Sequence, residues 1–323
     1  VSAPNPPSPV HAAPPRIVVL GSLNMDIVLR VPHAPAAGET LLGRSIDHIP
    51  GGKGANQAVS CAREGGQVAM IGCVGDDANG RALCAALEAD GIDTAALRTT
   101  TAAPTGTALI LVEDGGQNRI VMVPGANAAV DLDAAALRAQ LQGAAFLVTQ
   151  FETPMDQVER AISAAHAAGC KVLLNPSPMQ PIAAPLWPRI DTLVVNELEA
   201  RALCGQAADS PQEAALAGRA LRAEGIARVV VTLGARGAVA IDDDGARHHP
   251  APQVQAVDTT AAGDTFLGAL AVALGEGASF DEAVRLGIRA AALCIQQPGA
   301  QPSIPRRDAV LRSPLPPDWI PLP

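Results

Sequence analysis

The stretch Thr192-Leu193-Val194-Val195-Asn196-Glu197-Leu198-Glu199-Ala200-Arg201-Ala202-Leu203-Cys204 decides the fold. It opens on a short, uninterrupted apolar run, as expected of a strand buried on both faces of a parallel sheet. Asn196 then offers a helix cap, and Glu199 three residues later completes a capping-box pattern, so a helix is expected over Glu197–Cys204. A strand feeding directly into a helix is the repeating unit of a layered α/β fold.

Outward from this unit the same alternation continues. Further strands are expected at 17–20, 68–74, 146–150, 171–175 and 229–233, and helices at 55–64, 81–89, 155–168, 211–224, 264–274 and 280–296. Such an order implies a three-layer, Rossmann-like, doubly wound and mainly parallel sheet with right-handed crossovers. Two regions break the rhythm. Residues 23–49 read as strand, turn and strand, and the runs 105–112 and 118–123 flank Glu113-Asp114-Gly115-Gly116-Gln117, a hairpin signal. These pieces are expected to form a small β-sheet lid over a cleft, since ligands of open α/β sheets sit beyond the strand carboxyl ends. Residues 1–15 and 313–323, rich in Pro, read as loose tails around an α/β domain spanning 16–312.

Composition narrows the function. The 323 residues carry 23 Lys+Arg against 32 Asp+Glu, a net charge of −9, which argues against phosphate-backbone binding to nucleic acid. With Phe 4, Trp 2 and Tyr 0, aromatic stacking platforms are not expected. The six cysteines, at 61, 73, 84, 170, 204 and 294, form no C-x-x-C pair and read as small buried hydrophobes in a reducing compartment, hence a cytoplasmic protein. No stretch of 18 apolar residues suggests a membrane span.

Five segments hold groups that could carry chemistry. After the first strand comes Gly21-Ser22-Leu23-Asn24-Met25-Asp26, where extended alternation puts Asn24 and Asp26 on one face. An amide and a carboxylate so placed make a fork for adjacent hydroxyls, or a solvated strand edge. Gly51-Gly52-Lys53-Gly54-Ala55-Asn56-Gln57-Ala58 opens a helix with close backbone approach and free N–H groups; it fits neither a Walker A loop nor a dinucleotide fingerprint. Asn196 and Glu199 suit either a structural cap or a nucleotide's Mg²⁺ network. Thr232-Leu233-Gly234-Ala235-Arg236-Gly237 is a tight turn or a phosphate cradle. In Asp258-Thr259-Thr260-Ala261-Ala262-Gly263-Asp264-Thr265-Phe266, consecutive N–H groups at a helix start would form an anion hole beside Asp264. Asp264 there reads as a general base, or as a helix-start residue favoured by the dipole.

In their order along the chain, these strings, with Gly75-Asp76-Asp77-Ala78-Asn79-Gly80 and Gly125-Ala126-Asn127-Ala128-Ala129-Val130, resemble the ribokinase group of the pfkB-type carbohydrate kinases. The resemblance runs from about residue 17 to 305. It implies a ribokinase-like fold and ATP-dependent phosphorylation of D-ribose at its 5-hydroxyl. Asp264 matches the base, and Ala261, Ala262 and Gly263 the anion hole. Asn24, Met25, Asp26, Gly52, Lys53, Gly54, Ala55 and Asn56 fall in the sugar-binding strings, with Glu152 a further match. Asn196 and the turn Thr232, Leu233, Gly234, Ala235, Arg236 and Gly237 fall on the nucleotide side with Gly263, and Glu199 on the Mg²⁺ network. An activating K⁺ would meet Asp258, Thr260, Cys294, Gln297, Gly299 and Ser303, several through carbonyls. A homodimer through the lid is also implied. The chain departs at Ile288, where these kinases often carry a polar residue near the base, which puts fine nucleotide affinity in question. Other acceptors of the family (2-deoxyribose, fructose, adenosine) and a sugar sensor without turnover are the alternatives; an intact Asp264 argues against the sensor.

Overall fold

A computed structural model describes residues 13–323. The tail read over 1–15 therefore lies, for residues 1–12, outside the described residues. Pro15 is already fixed, its carbonyl accepting the Gln67 N–H at 2.9 Å. The chain then forms β1 (Arg16–Leu20), β2 (Asn24–Val31), β3 (Ser45–Gly51), α1 (Lys53–Arg63), β4 (Gln67–Gly75), α2 (Ala78–Ala89), β5 (Leu97–Thr100), β6 (Gly106–Glu113) and β7 (Asn118–Val123). Next come α3 (Ala134–Leu141), β8 (Phe146–Thr149), α4 (Met155–Ala167), β9 (Lys171–Leu174), β10 (Thr192–Asn196), α5 (Glu197–Cys204), α6 (Pro211–Ala223) and β11 (Arg228–Thr232). The last elements are β12 (Ala238–Asp242), β13 (Gly245–His249), α7 (Ala262–Gly275), α8 (Phe280–Cys294), α9 (Arg307–Arg312) and β14 (Ile320–Leu322).

The main sheet runs β14-β13-β12-β11-β10-β9-β8-β1-β4-β5, parallel from β11 to β5 and antiparallel from β11 through β14. Its strands are apolar on both faces because each face feeds a separate core. On β1, Val18 and Leu20 belong to one core with Val158 and Ile162 of α4 and Leu221 of α6, whereas Ile17 and Val19 belong to the other with Val59 of α1 and Leu270 of α7. Burying one such side chain contributes roughly 1.5–3 kcal/mol, so the double-sided strands dominate the fold's stability. The expected α/β architecture is what the chain adopts.

A second sheet, β3-β2-β6-β7, forms the lid. Its root is tied down by Asp77, which caps α2 by accepting the Gly80 N–H at 2.8 Å and also accepts the Thr105 N–H and hydroxyl at 2.8 and 2.7 Å. That cap starts α2 three residues before the expected position.

Further elements depart from the sequence reading: β5, α3 and α9 carried no expectation. The hairpin β12–β13 was not expected, although Asp242-Asp243-Asp244-Gly245 carries an Asp-Gly turn and Gly245 adopts φ 109°. The segment 313–323, read as a loose tail, ends in β14, which pairs with β13. Asp318 reaches Arg285 at 3.0 Å, and the Leu322 carbonyl accepts from Arg219 at 3.3 Å. Backbone pairing along an open sheet edge needs no apolar pattern, which is why composition hid it.

Candidate active site

The site forms where the end of β1, the start of α1 and the start of α7 meet. Glycine sets the approach: a Cβ on Gly54 would lie 2.5 Å from the Gly21 carbonyl carbon. Gly52 holds φ 90° as the cap of α1, a conformation that favours glycine. The Ser22 hydroxyl consequently reaches both the Gly54 N–H, at 3.3 Å, and the Glu152 carboxylate. Glu152 also accepts the Lys53 N–H at 3.2 Å.

Asp264 lies in the first turn of α7, 7% exposed, and receives two amides from the first turn of α1. Asn56 Nδ2 donates to Asp264 Oδ2 at 3.1 Å, and Gln57 Nε2 donates to Oδ1 at 2.9 Å. Gln150 Nε2 in turn donates to Gln57 Oε1 at 2.5 Å. Just before it, Ala261 adopts φ 59°, the one non-glycine left-handed residue among those described. That conformation costs roughly 1–2 kcal/mol for an L-residue. It turns the chain into α7 so that the N–H groups of Gly263 and Asp264 lie at the helix's positive end, where intrahelical acceptors are lacking, while the Ala262 N–H makes only a long bond to the Thr259 carbonyl at 3.3 Å.

Carboxylates crowd the neighbouring pocket. Asp26 is 8% exposed, and burial, with the charges of Glu152 and Asp264, pushes its pKa up to about 7. Burial likewise raises Glu152. Burial alone would pull the Lys53 ammonium down, but the charges of Asp264, Glu152 and Glu199 outweigh it and hold the group above its usual range. Asn24 Oδ1 accepts from Asn127 Nδ2 at 2.8 Å. Asn56 Oδ1 is buried with no partner among the described residues. Met25 and Ala55 turn away: both lie in the core with Leu23 and Val59, so their side chains serve packing, not a ligand.

On the other side of the sheet's carboxyl edge, Asn196 accepts the Glu199 N–H at 2.9 Å and Glu199 Oε2 accepts the Asn196 N–H at 3.0 Å. The capping box is therefore formed. Asn175 adds a bond to Glu199 at 3.4 Å. The turn 232–237 closes tightly, Leu233 N–H to Gly237 carbonyl at 2.8 Å; Leu233 itself is buried in the core. Arg236 is spent on Glu197 at 3.0 Å and on the Asp209 carbonyl. Ile288 is 5% exposed and packs in the core with Phe266 and Val284.

The loop residues matched to a cation come together in two pairs of contacts. Asp258 Oδ1 accepts the Thr260 N–H and hydroxyl at 2.9 and 2.7 Å, and Oδ2 accepts the Gly299 N–H at 2.9 Å. Burial would raise the Asp258 carboxyl, but these bonds and the Arg30 charge leave it below the usual range. The Cys294 thiol lies 3.1 Å from the Ser303 hydroxyl, which donates to the Ala300 carbonyl at 2.7 Å. Gln297 joins through its backbone, its N–H donating to the Cys294 carbonyl at 3.1 Å. Between this loop and the lid lies a cleft of about 470 Å³, with Asp26 lining it.

A family model for pfkB family carbohydrate kinases matches residues 14–307. The chain belongs to this family. A Haemophilus influenzae ribokinase is 42% identical over 91% of this chain and 97% of its own length, and a Schizosaccharomyces pombe ribokinase is 38% identical over 90% and 94%. Arabidopsis thaliana ribokinase complexed with ribose and ATP superposes with a TM-score of 0.87 at 34% identity, covering 93% of this chain and 98% of that one. A Thermotoga maritima ribokinase gives 0.83 at 37% identity, covering 92% and 98%.

Four site residues of this carbohydrate kinase escaped the sequence reading. Gln57 stood inside the quoted Gly-rich string, but its partner Asp264 is 207 residues away. Gln150, Ser22 and Asn127 are buried polar groups at strand ends and in a turn. For Asn127 the signal was its place in Gly125–Ala129; its bonds to Leu23 and Asn24 bridge more than a hundred residues.

Proposed function

We propose that this pfkB-family member transfers the γ-phosphoryl group of ATP to the 5-hydroxyl of D-ribose, releasing ribose 5-phosphate and ADP. The observation that carries the reading is the doubly bonded Asp264 carboxylate at the start of α7. A carboxylate held acceptor-only by two amides is set to take a proton. The hydroxyl oxygen forms the new P–O bond as the bond from the γ-phosphorus to the β,γ-bridging oxygen breaks, and the hydroxyl proton passes to Asp264. The N–H groups of Ala261, Ala262 and Gly263 offset the charge on the transferring group.

Asn24, Asp26, Asn56 and Glu152 bind the sugar's hydroxyls, with Lys53 positioning it. Gly52 and Gly54 let the backbone approach. Closure of the lid excludes water. ATP lies along Asn196 and the turn 232–237. Mg²⁺ fits this donor set as an ion carried on the phosphates, since Glu199 is a hard oxygen ligand and Mg²⁺ keeps most of its waters. It would neutralise charge on the phosphates. K⁺ fits the oxygen-rich loop of Asp258, Thr260, Cys294, Gln297, Gly299 and Ser303, steadying the anion hole without touching substrate.

We also propose a homodimer through the outer face of the lid, where Ile46, Leu109, Val121 and Val123 are 57, 40, 60 and 53% exposed on adjacent strands. Contiguous exposed apolar surface of this kind suits a partner copy. A cytoplasmic setting is supported by six cysteines, none in a disulfide.

ADP release with ATP, Mg²⁺ and D-ribose, beside 2-deoxyribose, fructose and adenosine, with and without K⁺, tests the reading. Ribose-dependent turnover that rises with K⁺ is expected. Preference for another acceptor would overturn the substrate, equal rates in Na⁺ and K⁺ the cation site, and no turnover the kinase reading itself.

A further inference from the structure

The lid strand β2 carries its binding residues on one face, and that face continues past them. Alternation along β2 places Asn24, Asp26, Val28 and Arg30 on the same side. Asp26, Val28 and Arg30 all line the cleft of about 470 Å³ whose opposite wall is Val257, Asp258, Thr260, Pro298 and Gly299. Arg30 is exposed, and its guanidinium makes no hydrogen bond or ion pair with any described residue. Three carboxylates share the cleft with it: Asp26, on the same strand, Asp47, from the adjacent strand β3, and Asp258, on the main domain. Asp258 is held rigidly by three donors from Thr260 and Gly299. It begins the segment that leads into Ala261 and α7.

We infer that Arg30 is a positioning residue that draws the lid toward Asp258, with or without sugar in the cleft. Arg30 itself touches no reacting atom; its charge acts across the gap between the two parts that must meet over the sugar. Asp26 and Asp47 move with the lid, so their attraction for Arg30 is the same open or closed. Only Asp258 changes its distance from Arg30 as the cleft narrows. The attraction therefore favours the closed state, and does so more strongly at low ionic strength, because charges across a solvent gap are screened within about 8 Å at physiological salt. A ligand that needs closure binds more weakly when closure is less favourable.

The inference rests on the kinase reading for its kinetic test, and a second measurement is independent of turnover. Arg30→Gln should raise KM for ribose about threefold at low ionic strength, with kcat nearly unchanged, and Arg30→Lys should restore the wild-type KM. In tetramethylammonium chloride near 0.5 M the wild type and Arg30→Gln should converge. Hydrogen exchange without any sugar should show faster exchange of β2 and β3 amides in Arg30→Gln than in the wild type at low salt only. An unchanged KM and unchanged lid exchange, or a defect that persists undiminished at high salt or in Arg30→Lys, would overturn the latch. If ribose is not phosphorylated by the wild type, the exchange experiment alone decides it.

Discussion

Gln57 Nε2 donates to Asp264 Oδ1 at 2.9 Å, so the second residue of the amide pair opening α1 helps fix the carboxylate that opens α7. Because Gln57 is itself held by Gln150, a chain of three side chains runs from the end of β8 to the proposed base. Gln57→Leu leaves an acceptor oxygen of Asp264 and the donor of Gln150 unpaired in a buried site. Such losses cost about 1–3 kcal/mol. A lower urea midpoint and about a tenfold drop in kcat are expected, with little change in ribose KM.

Asp264→Asn keeps the shape and removes the base. General-base catalysis contributes roughly 10²–10⁴-fold, so kcat should fall by about three orders of magnitude, while ribose affinity by calorimetry stays within about threefold. A loss below tenfold would contradict the proton transfer assigned to Asp264.

Acceptor binding should depend on pH through Asp26, whose pKa burial raises to about 7. The ionised carboxylate accepts hydroxyl protons on both oxygens, the protonated form less well. KM for ribose should therefore fall as pH rises from 6 to 8. A profile flat across that range would remove Asp26 from the sugar's hydroxyls.

Stability should show the opposite trend through Glu64, at the end of α1. Both its oxygens are buried without a partner among the described residues, and burial raises its pKa to about 7 despite Arg307. The folded chain thus holds this proton more tightly than the unfolded one. Its stabilising contribution is complete below about pH 4.5 and is lost as pH climbs through about 7. Glu64→Gln should melt higher than the wild type at pH 8 and differ little at pH 5. Equal melting temperatures at pH 8 would show the carboxylate to be compensated.

The parallel half of the sheet was readable because Leu193, Val194, Val229 and Val230, like their counterparts on other strands, bury side chains on both faces and so leave an unbroken apolar run. β14 was not, since Ile320-Pro321-Leu322 is held by main-chain pairing and by ion pairs such as Arg285–Asp318. In the site, the Gly-rich strings and Asp264 announced themselves through backbone chemistry at helix starts. The side chains of Met25 and Ala55 lie in the core, since belonging to a motif does not say which way a side chain points. Gln57 and Asn127 stayed hidden for a related reason: a polar residue's partner across the fold leaves no trace in its own neighbourhood.

The junction of β2 and β3 bears on how acceptor range can be altered. A Cβ on Gly51 would lie 2.2 Å from an Asp26 carboxylate oxygen, so no side chain fits there while Asp26 keeps its place. On the next strand, a Cβ on Gly106 would lie 2.3 Å from Asn24 Oδ1. Both residues of β2 proposed to bind the sugar's hydroxyls are thus walled in by positions that tolerate only hydrogen. Laboratory evolution toward bulkier acceptors has no gradual path through these sites; room must come from Val28 and Ile110 farther along the cleft, where trimming a side chain leaves Asn24 and Asp26 in register.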